Sequence, residues 1–304
     1  MIAWTATEFR RAFSTSEFPA DAPAIPRGVF MVEPEAFHVN PESALDNVYM
    51  DLENVADPER ALSQSQDLAS AIRGRGIEVV VFPGDSKAPD GVFPNNAFAT
   101  IPGRLIIGSM WHPGRRLETS RSDIRNYFIN GGYSVTDLSE QDCIAELTGP
   151  LIIDRARRIG FCGMSDRINQ AGVEAMHAAF DLRLSFAFDL AQGEYHTNVV
   201  MMILAGRAVV LCPDSFVDED VPLAISRAFP GRTLMLTQAE KNAFAGNCIA
   251  LTDKDLFMSQ TGFDALRDSS VQTLQSWGFE LTTVELDEIE KAGGSLRCMV
   301  AEIF

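Results

Sequence analysis

Residues 195–204 read YHTNVVMMIL, a polar opening followed by an unbroken apolar run, and the reading of this stretch decides the fold because it recurs. A run of this kind suits a short strand buried on both faces. Fifty residues earlier stands ELTGPLIID (146–154), and before it VFPNNAFATI (92–101). Downstream come NCIALTD (247–253) and LRCMVAEIF (296–304). The polar residue that marks each opening strand is Asn96, Glu146, His196, Asn247 or Cys298, at intervals of 50, 50, 51 and 51. Four of these openings are followed by a second apolar stretch, an amphipathic helix and a further strand. The helices are expected near 116–130, 170–180, 221–229 and 263–277. The opening at Cys298 has no room for such a sequel, but GVFMVEP (28–34), a helix over 58–73 and IEVVVFPG (77–84) supply the missing parts. A fixed period with one helix per unit is the signature of radial repeats. The spacing therefore predicts an α/β fold, a five-bladed α/β propeller of ββαβ units closed by pairing the N- and C-terminal strands. A single catalytic domain is expected over 1–304, with the five opening positions meeting at its axis.

The bulk numbers narrow the function. The chain has 304 residues, 46% of them hydrophobic, which is ample for a large core. Its formal charge of −17 argues against nucleic acid or an anionic membrane as partner, since phosphate binding needs a basic face. The longest apolar run, 199–204, is too short to span a bilayer, and the first residues show no basic start followed by an apolar signal region. Five cysteines stand at 143, 162, 212, 248 and 298 with no CxxC pair. An odd, scattered set suits neither a disulfide framework nor a structural zinc site and points to a reducing cytoplasm. No motif calls for a metal or an organic cofactor, and a homo-oligomer is compatible with the sequence.

The chemistry rests on the residues in phase. A Cys, a His and a Glu at equivalent points supply a nucleophile, a proton shuttle and a group to orient it. Singly, each is by default a buried structural residue, and that reading is kept for Cys143, Cys162, Cys212 and Cys248 and for His38, His112 and His177. Arg297 and an imidazolium are expected to lower the Cys298 thiol pKa, while the glycines of AGGSLRC (292–298) let backbone amides approach. A papain-like protease is disfavoured because its nucleophile opens a helix, whereas Cys298 is read at a strand start.

In order along the chain, FPGDSKAPDGVFPNNA (82–97), HPGRRLE (112–118), ELTG (146–149), GMSDRINQAG (163–172), YHTN (195–198) and GGSLRCM (293–299) resemble the motifs of the guanidine-modifying superfamily. That group comprises arginine deiminases, dimethylarginine hydrolases, amidinotransferases and arginine dihydrolases. The likeness is nearest to the dimethylarginine hydrolases and extends to a branch named for citrulline utilisation. It implies a five-bladed propeller and a cytoplasmic, cysteine-dependent hydrolase of arginine metabolism. It also implies roles by position. Cys298 attacks the guanidinium or ureido carbon, and His196 protonates the leaving nitrogen and then activates water. Glu146 supports the substrate or the histidine. Arg167 and Arg115 hold the α-carboxylate, and Asp90 meets the amine side.

The chain departs from the relatives at Asn95, Asn96 and Asn198, where they carry carboxylates. An amide can donate to a neutral ureido oxygen as well as accept, which favours a citrulline ureidohydrolase or an arginine dihydrolase over simple deimination. Amidinotransferase and dimethylarginine hydrolase activity use the same three residues and stay open as alternatives. From another class, an inactive propeller that binds an amino acid is the remaining reading. The expected partner is a small-molecule amino acid.

Overall fold

The apolar runs fold as strands in five separate sheets, seen in a computed structural model that describes residues 1–19 and 22–304. Sheet A takes Phe98–Ile101, Arg104–Ile107 and Ser134–Asp137. Sheet B takes Leu151–Asp154, Ile159–Met164 and Leu184–Asp189. Sheet C takes Met201–Leu204, Ala208–Leu211 and Thr233–Met235, and sheet D takes Ile249–Ala250, Asp255–Ser259 and Glu280–Val284. In each, the first two strands pair antiparallel and the last two pair parallel across a helical connection. Sheet E repeats the pattern from both ends of the chain. Ala301–Ile303 runs antiparallel to Gly28–Val32, which runs parallel to Glu78–Phe82. The helix Pro58–Gly74 makes that connection, opened by Asp57, whose side chain accepts from the Glu59 and Arg60 amides.

Both strands Met201–Leu204 and Ala208–Leu211 are buried throughout, as their continuous apolar sequence requires. Each such Leu, Ile or Val contributes ~1.5–3 kcal/mol by leaving water. First strands of neighbouring sheets pack together, Met201–Leu204 against both Leu151–Asp154 and Ile249–Ala250, and Ala301–Ile303 against Phe98–Ile101. Among the described residues no helix is long and apolar enough to cross a membrane.

The structure differs from the sequence expectation in three ways. The helix expected over 116–130 is two, Arg116–Thr119 and Ser122–Asn130, because Arg121 is extended and spends its guanidinium on Asp123. The one expected over 263–277 is likewise two, Gln260–Ala265 and Asp268–Ser276, split by extended Leu266 and Arg267. At the start of the chain, Ile2–Ala3 adds a fourth strand to sheet B and the helix Ala6–Thr15 packs its Phe9 ring on Phe186 at 4.6 Å. That short strand and helix have no counterpart in the repeat, so the period gave no sign of them.

Candidate active site

The repeated polar residues do not begin the strands themselves. Cys298 lies in the one-turn helix Leu296–Met299, ahead of the strand Ala301–Ile303. His196 caps the one-turn helix Thr197–Val200, Asn96 ends the turn Pro94–Asn96, and Glu146 precedes the turn 147–150. A single turn thus stands beside each polar residue: it follows Glu146 and His196, contains Cys298, ends at Asn96 and precedes Asn247. The turn lets the side chain face inward while the strand runs out into its sheet. The contrast drawn above with a helix-borne nucleophile is corrected accordingly.

All five are buried, with Glu146, His196 and Asn247 at 0%, Cys298 at 1% and Asn96 at 3% exposure. The bonds among them cross sequence separations near multiples of fifty. His196 Nε2 meets Glu146 Oε2 at 3.1 Å. The Asn247 amide donates to Cys298 Sγ at 3.3 Å and to the Asn198 carbonyl at 2.8 Å. Asn198 Nδ2 donates to Cys298 Sγ at 3.5 Å and to the Thr148 carbonyl at 3.3 Å. The Asn247 amide has only one orientation, because its Oδ1 accepts the Arg297 backbone N–H at 3.0 Å and so turns the nitrogen to the sulfur.

Glu146 is held in place by the 163–172 segment. Asn169 Oδ1 accepts the Ile144 amide at 3.1 Å and caps the helix Gln170–Ala179 through Gly172 N at 2.8 Å. The Glu146 amide donates to the Arg167 carbonyl. His196 is positioned by the absence of a side chain at Gly149, where a Cβ would stand 2.6 Å from the imidazole. Gly293, at φ +72°, and Gly294 make room for the side chains of Asn47 and Phe93. The expectation that these glycines serve the approach of backbone amides is replaced by this close side-chain packing.

Burial dominates the electrostatics. It would raise the Glu146 carboxyl, but the Arg167 and Arg115 guanidinia and the His196 bond outweigh it and hold the group well below the usual carboxylate range. An ionised Glu146 only accepts, so His196 Nε2 carries the proton. Nδ1 then keeps a free lone pair, and it has no partner among the described residues. Burial lowers the imidazole to about 4, against the opposing pull of Glu146. Burial likewise pushes the Cys298 thiol up, and the Asn247 donor, the Arg297 charge and Asn198 recover only part of the shift. The resting pair is therefore neutral thiol and neutral imidazole. This corrects the expected thiolate beside an imidazolium, since the fully buried setting penalises both charges.

Arg115 and Arg167 are buried at 3% and 1% exposure, and their forks are occupied by protein carboxylates. Arg115 grips Glu118 bidentately at 2.8 Å and reaches Glu146 at 3.2 Å. Burial raises Glu118 to about 7 despite that arginine. Arg167 grips Asp46 at 2.6 and 2.8 Å and Glu146 at 3.2 Å, and Asp46 also takes His112 Nε2 at 2.9 Å. Asp90 is buried, not a solvated loop charge, and accepts from Ser43 Oγ at 2.6 Å and Asn40 Nδ2 at 2.8 Å. Asn95 donates to the Thr148 carbonyl, and Asn96, its amide oxygen turned to the Arg115 guanidinium, donates to Asn95 Oδ1 at 2.9 Å. Asn198 alone of the three asparagines keeps an unpartnered atom, its buried Oδ1.

The space at Cys298 is a small pocket of about 10 Å³, lined by Asp90, Asn96, Arg115, Arg167 and Tyr195, with Ser43 and Asn47 also at its wall. That is the room of one water, and the 40–52 segment contributes Ser43 and Asn47 to its wall. Asp46, Asn47 and Tyr49 tie this segment down, Tyr49 through a buried Lys241–Glu194 pair. The sequence reading missed Asp46, Asn47, His112 and Glu118; Asp46 stands fifty residues before Asn96, in phase with the openings, and the other three fall outside it. It marked Asn247 by its phase and gave it no role. Among the described residues no group of three or more His, Cys, Asp or Glu forms a metal cluster.

A family model described as N,N dimethylarginine dimethylhydrolase, eukaryotic, matches residues 33–304. The bifunctional arginine dihydrolase/ornithine cyclodeaminase AgrE of Nostoc sp. is 24% identical over 81% of this chain, and the chain spans about a third of its length, 33%. The N-terminal domain of ArgZ, an arginine dihydrolase from the ornithine-ammonia cycle in cyanobacteria solved with its substrate, superposes with TM-score 0.79 at 22% identity, over 90% of this chain and 97% of that one. A dimethylarginine dimethylaminohydrolase adduct with S-methyl-L-thiocitrulline gives TM-score 0.69 at 18% identity, over 92% and 100%. At such identities the superpositions carry the fold.

Proposed function

Matched over residues 33–304, this chain belongs to the N,N-dimethylarginine dimethylhydrolase family within the guanidine-modifying superfamily, and from that premise we propose that it hydrolyses the C–N bonds of arginine-like guanidino groups. The reading that the geometry supports best is an arginine dihydrolase. The observation that carries it is the placement of Cys298 Sγ between two amide donors, with a glutamate-held histidine in the same buried ring of turns. The five sheets, with their first strands packed together, support a five-bladed propeller over one catalytic unit, 1–304.

In the proposed reaction the Cys298 proton passes to His196 Nδ1 and the sulfur bonds to the guanidinium carbon. The carbon–nitrogen bond breaks and His196 protonates the departing ammonia. Water, losing a proton to the same nitrogen, adds to the carbon. The carbon–sulfur bond breaks to leave the ureido acid and a restored thiol. A second passage expels a second ammonia from the ureido carbon and hydrolyses the resulting thiocarbamate to a carbamate, which then loses carbon dioxide to leave ornithine. A cationic substrate suits the resting site, because a positive charge beside Sγ favours the thiolate that burial disfavours. The free Asn198 Oδ1 beside the sulfur offers an acceptor for the substrate N–H. Arg167 takes the substrate carboxylate once Asp46 withdraws.

The test is product analysis on arginine, citrulline and dimethylarginine. Ornithine with two ammonia per arginine supports the reading. Accumulation of citrulline, or turnover of dimethylarginine alone, refutes the substrate assignment and leaves the family intact.

A further inference from the structure

A second buried cavity lies along the same first strands, beyond the turns that carry the site. It holds about 30 Å³ and is walled by Leu151, Ile152, Met202, Ile203, Ile249 and Ala250, from sheets B, C and D. Three charged residues reach it: Arg155, Arg297 and Glu302. Arg297 Nη2 donates to Glu302 Oε2 at 3.0 Å, and Arg155 Nη2 approaches the same oxygen at 3.5 Å. Two guanidinia thus share one carboxylate oxygen. Their remaining bonds go to neutral carbonyls, Arg155 Nη1 to Thr100 and Arg297 Nη1 to Val300. Arg297 is 4% exposed, and its Nε–H has no partner among the described residues. Both charges lie in low-dielectric surroundings, where an unbalanced cation is costly. Burial lowers the Arg155 pKa, and the neighbouring Arg297 adds to that effect against Glu302.

We propose that this cavity binds a small monovalent inorganic anion, of halide or nitrate size, between the Arg155 and Arg297 guanidinia. The anion supplies the second negative charge that the pair lacks among the described residues and accepts the Arg297 Nε–H, which has no partner among them. Its route in is the adjoining cleft of about 220 Å³, which shares Ile153 and Arg155 with the cavity and adds Arg104 and Arg158 at its rim. The volume points to the class, since about 30 Å³ is room for a single small ion between the two guanidinia.

The experiment is thermal unfolding at constant ionic strength, with sodium chloride, bromide or nitrate replacing sodium gluconate, whose anion is too large for the cavity. The wild type should gain a saturable ~2–4 °C in Tm. Arg155→Met, which leaves Arg297 balanced by Glu302, should lose that gain. No gain in the wild type, or an undiminished gain in R155M, overturns the proposal. Should R155M fail to fold, bromide-soaked crystals of the wild type decide. An anomalous peak within about 3.5 Å of guanidinium nitrogens of both arginines supports the site, and its absence there overturns it.

Discussion

Removing the Asn247 amide should make the Cys298 thiol a weaker acid. Its Nδ2 donates to Sγ at 3.3 Å, and a hydrogen bond to a charged acceptor contributes ~1.5–3 kcal/mol. At roughly 1.36 kcal/mol per pKa unit, Asn247→Ala should raise the thiol pKa by ~1–2 units. Asn198 still donates from 3.5 Å, which favours the lower end. Asn247→Asp separates this effect from loss of packing. It retains an acceptor for the Arg297 N–H but sets a negative charge against the sulfur, so its shift should exceed that of the alanine variant. The assay is iodoacetamide alkylation of Cys298 across pH, followed on its own peptide by mass spectrometry. The midpoint is read and not the rate, because burial of Cys298 slows reagent access at every pH. If both variants titrate where the wild type does, the amide does not stabilise the thiolate and the reasoning fails.

Other outcomes follow from the same geometry. Cys298→Ser should turn over at less than about a thousandth of the wild-type rate, measured as ammonia release; retained turnover would end the covalent mechanism. Cys162 and Cys248, whose thiols burial pushes up to about 12, should alkylate only on unfolding. Gly149→Ala should lower kcat and Tm together, since its methyl would meet the imidazole at 2.6 Å; normal kinetics would show that the ring shifts freely. The His196 imidazole, at about 4, lies below the unfolded value of ~6.5, so the unfolded chain binds the proton first. Its contribution is complete above pH ~6.5 and is lost as pH falls towards 4; urea midpoints that stay flat across that window would contradict this burial. Asp46→Asn, by freeing the Arg167 fork, should lower KM for arginine several-fold; an unchanged KM would send the substrate carboxylate elsewhere.

The repeat could be read because each unit must bury two strands and a helix, which leaves a periodic apolar trace. Polar residues that interrupt the trace at one fixed phase stand out, and so Glu146, His196 and Cys298 were visible. Asn247 stood out equally and was passed over because, unlike Asn95, Asn96 and Asn198, it falls in no motif shared with the superfamily. Asp46, fifty residues before Asn96, was passed over because no long apolar run follows it, and Asn47 and Glu118 were invisible for a different reason. They come from loops and a short helix whose sequence carries no period, and they reach the site only through tertiary packing. Charge states were beyond the sequence as well. Arg297 beside Cys298 suggested an acidic thiol, yet burial from strands a hundred or more residues away outweighs a neighbouring cation. The broken helices show the same limitation locally, since Arg121 and Arg267 fit a helical pattern and leave it for partners elsewhere.

Sheet E has a consequence for the timing of synthesis. Its middle strand, Gly28–Val32, is made early, but the partner at Ala301–Ile303 leaves the ribosome only after some 270 further residues. At ~5–20 residues per second that delay is on the order of 15–50 s, during which one edge of an entirely apolar strand stays open to pairing with other chains. The proposed nucleophile, Cys298, arrives in the same segment as the missing strand. A nascent chain stalled before that segment is thus sticky and chemically inert at once, so exposed edges would hand it to chaperones or proteases before any reactive thiol had been built.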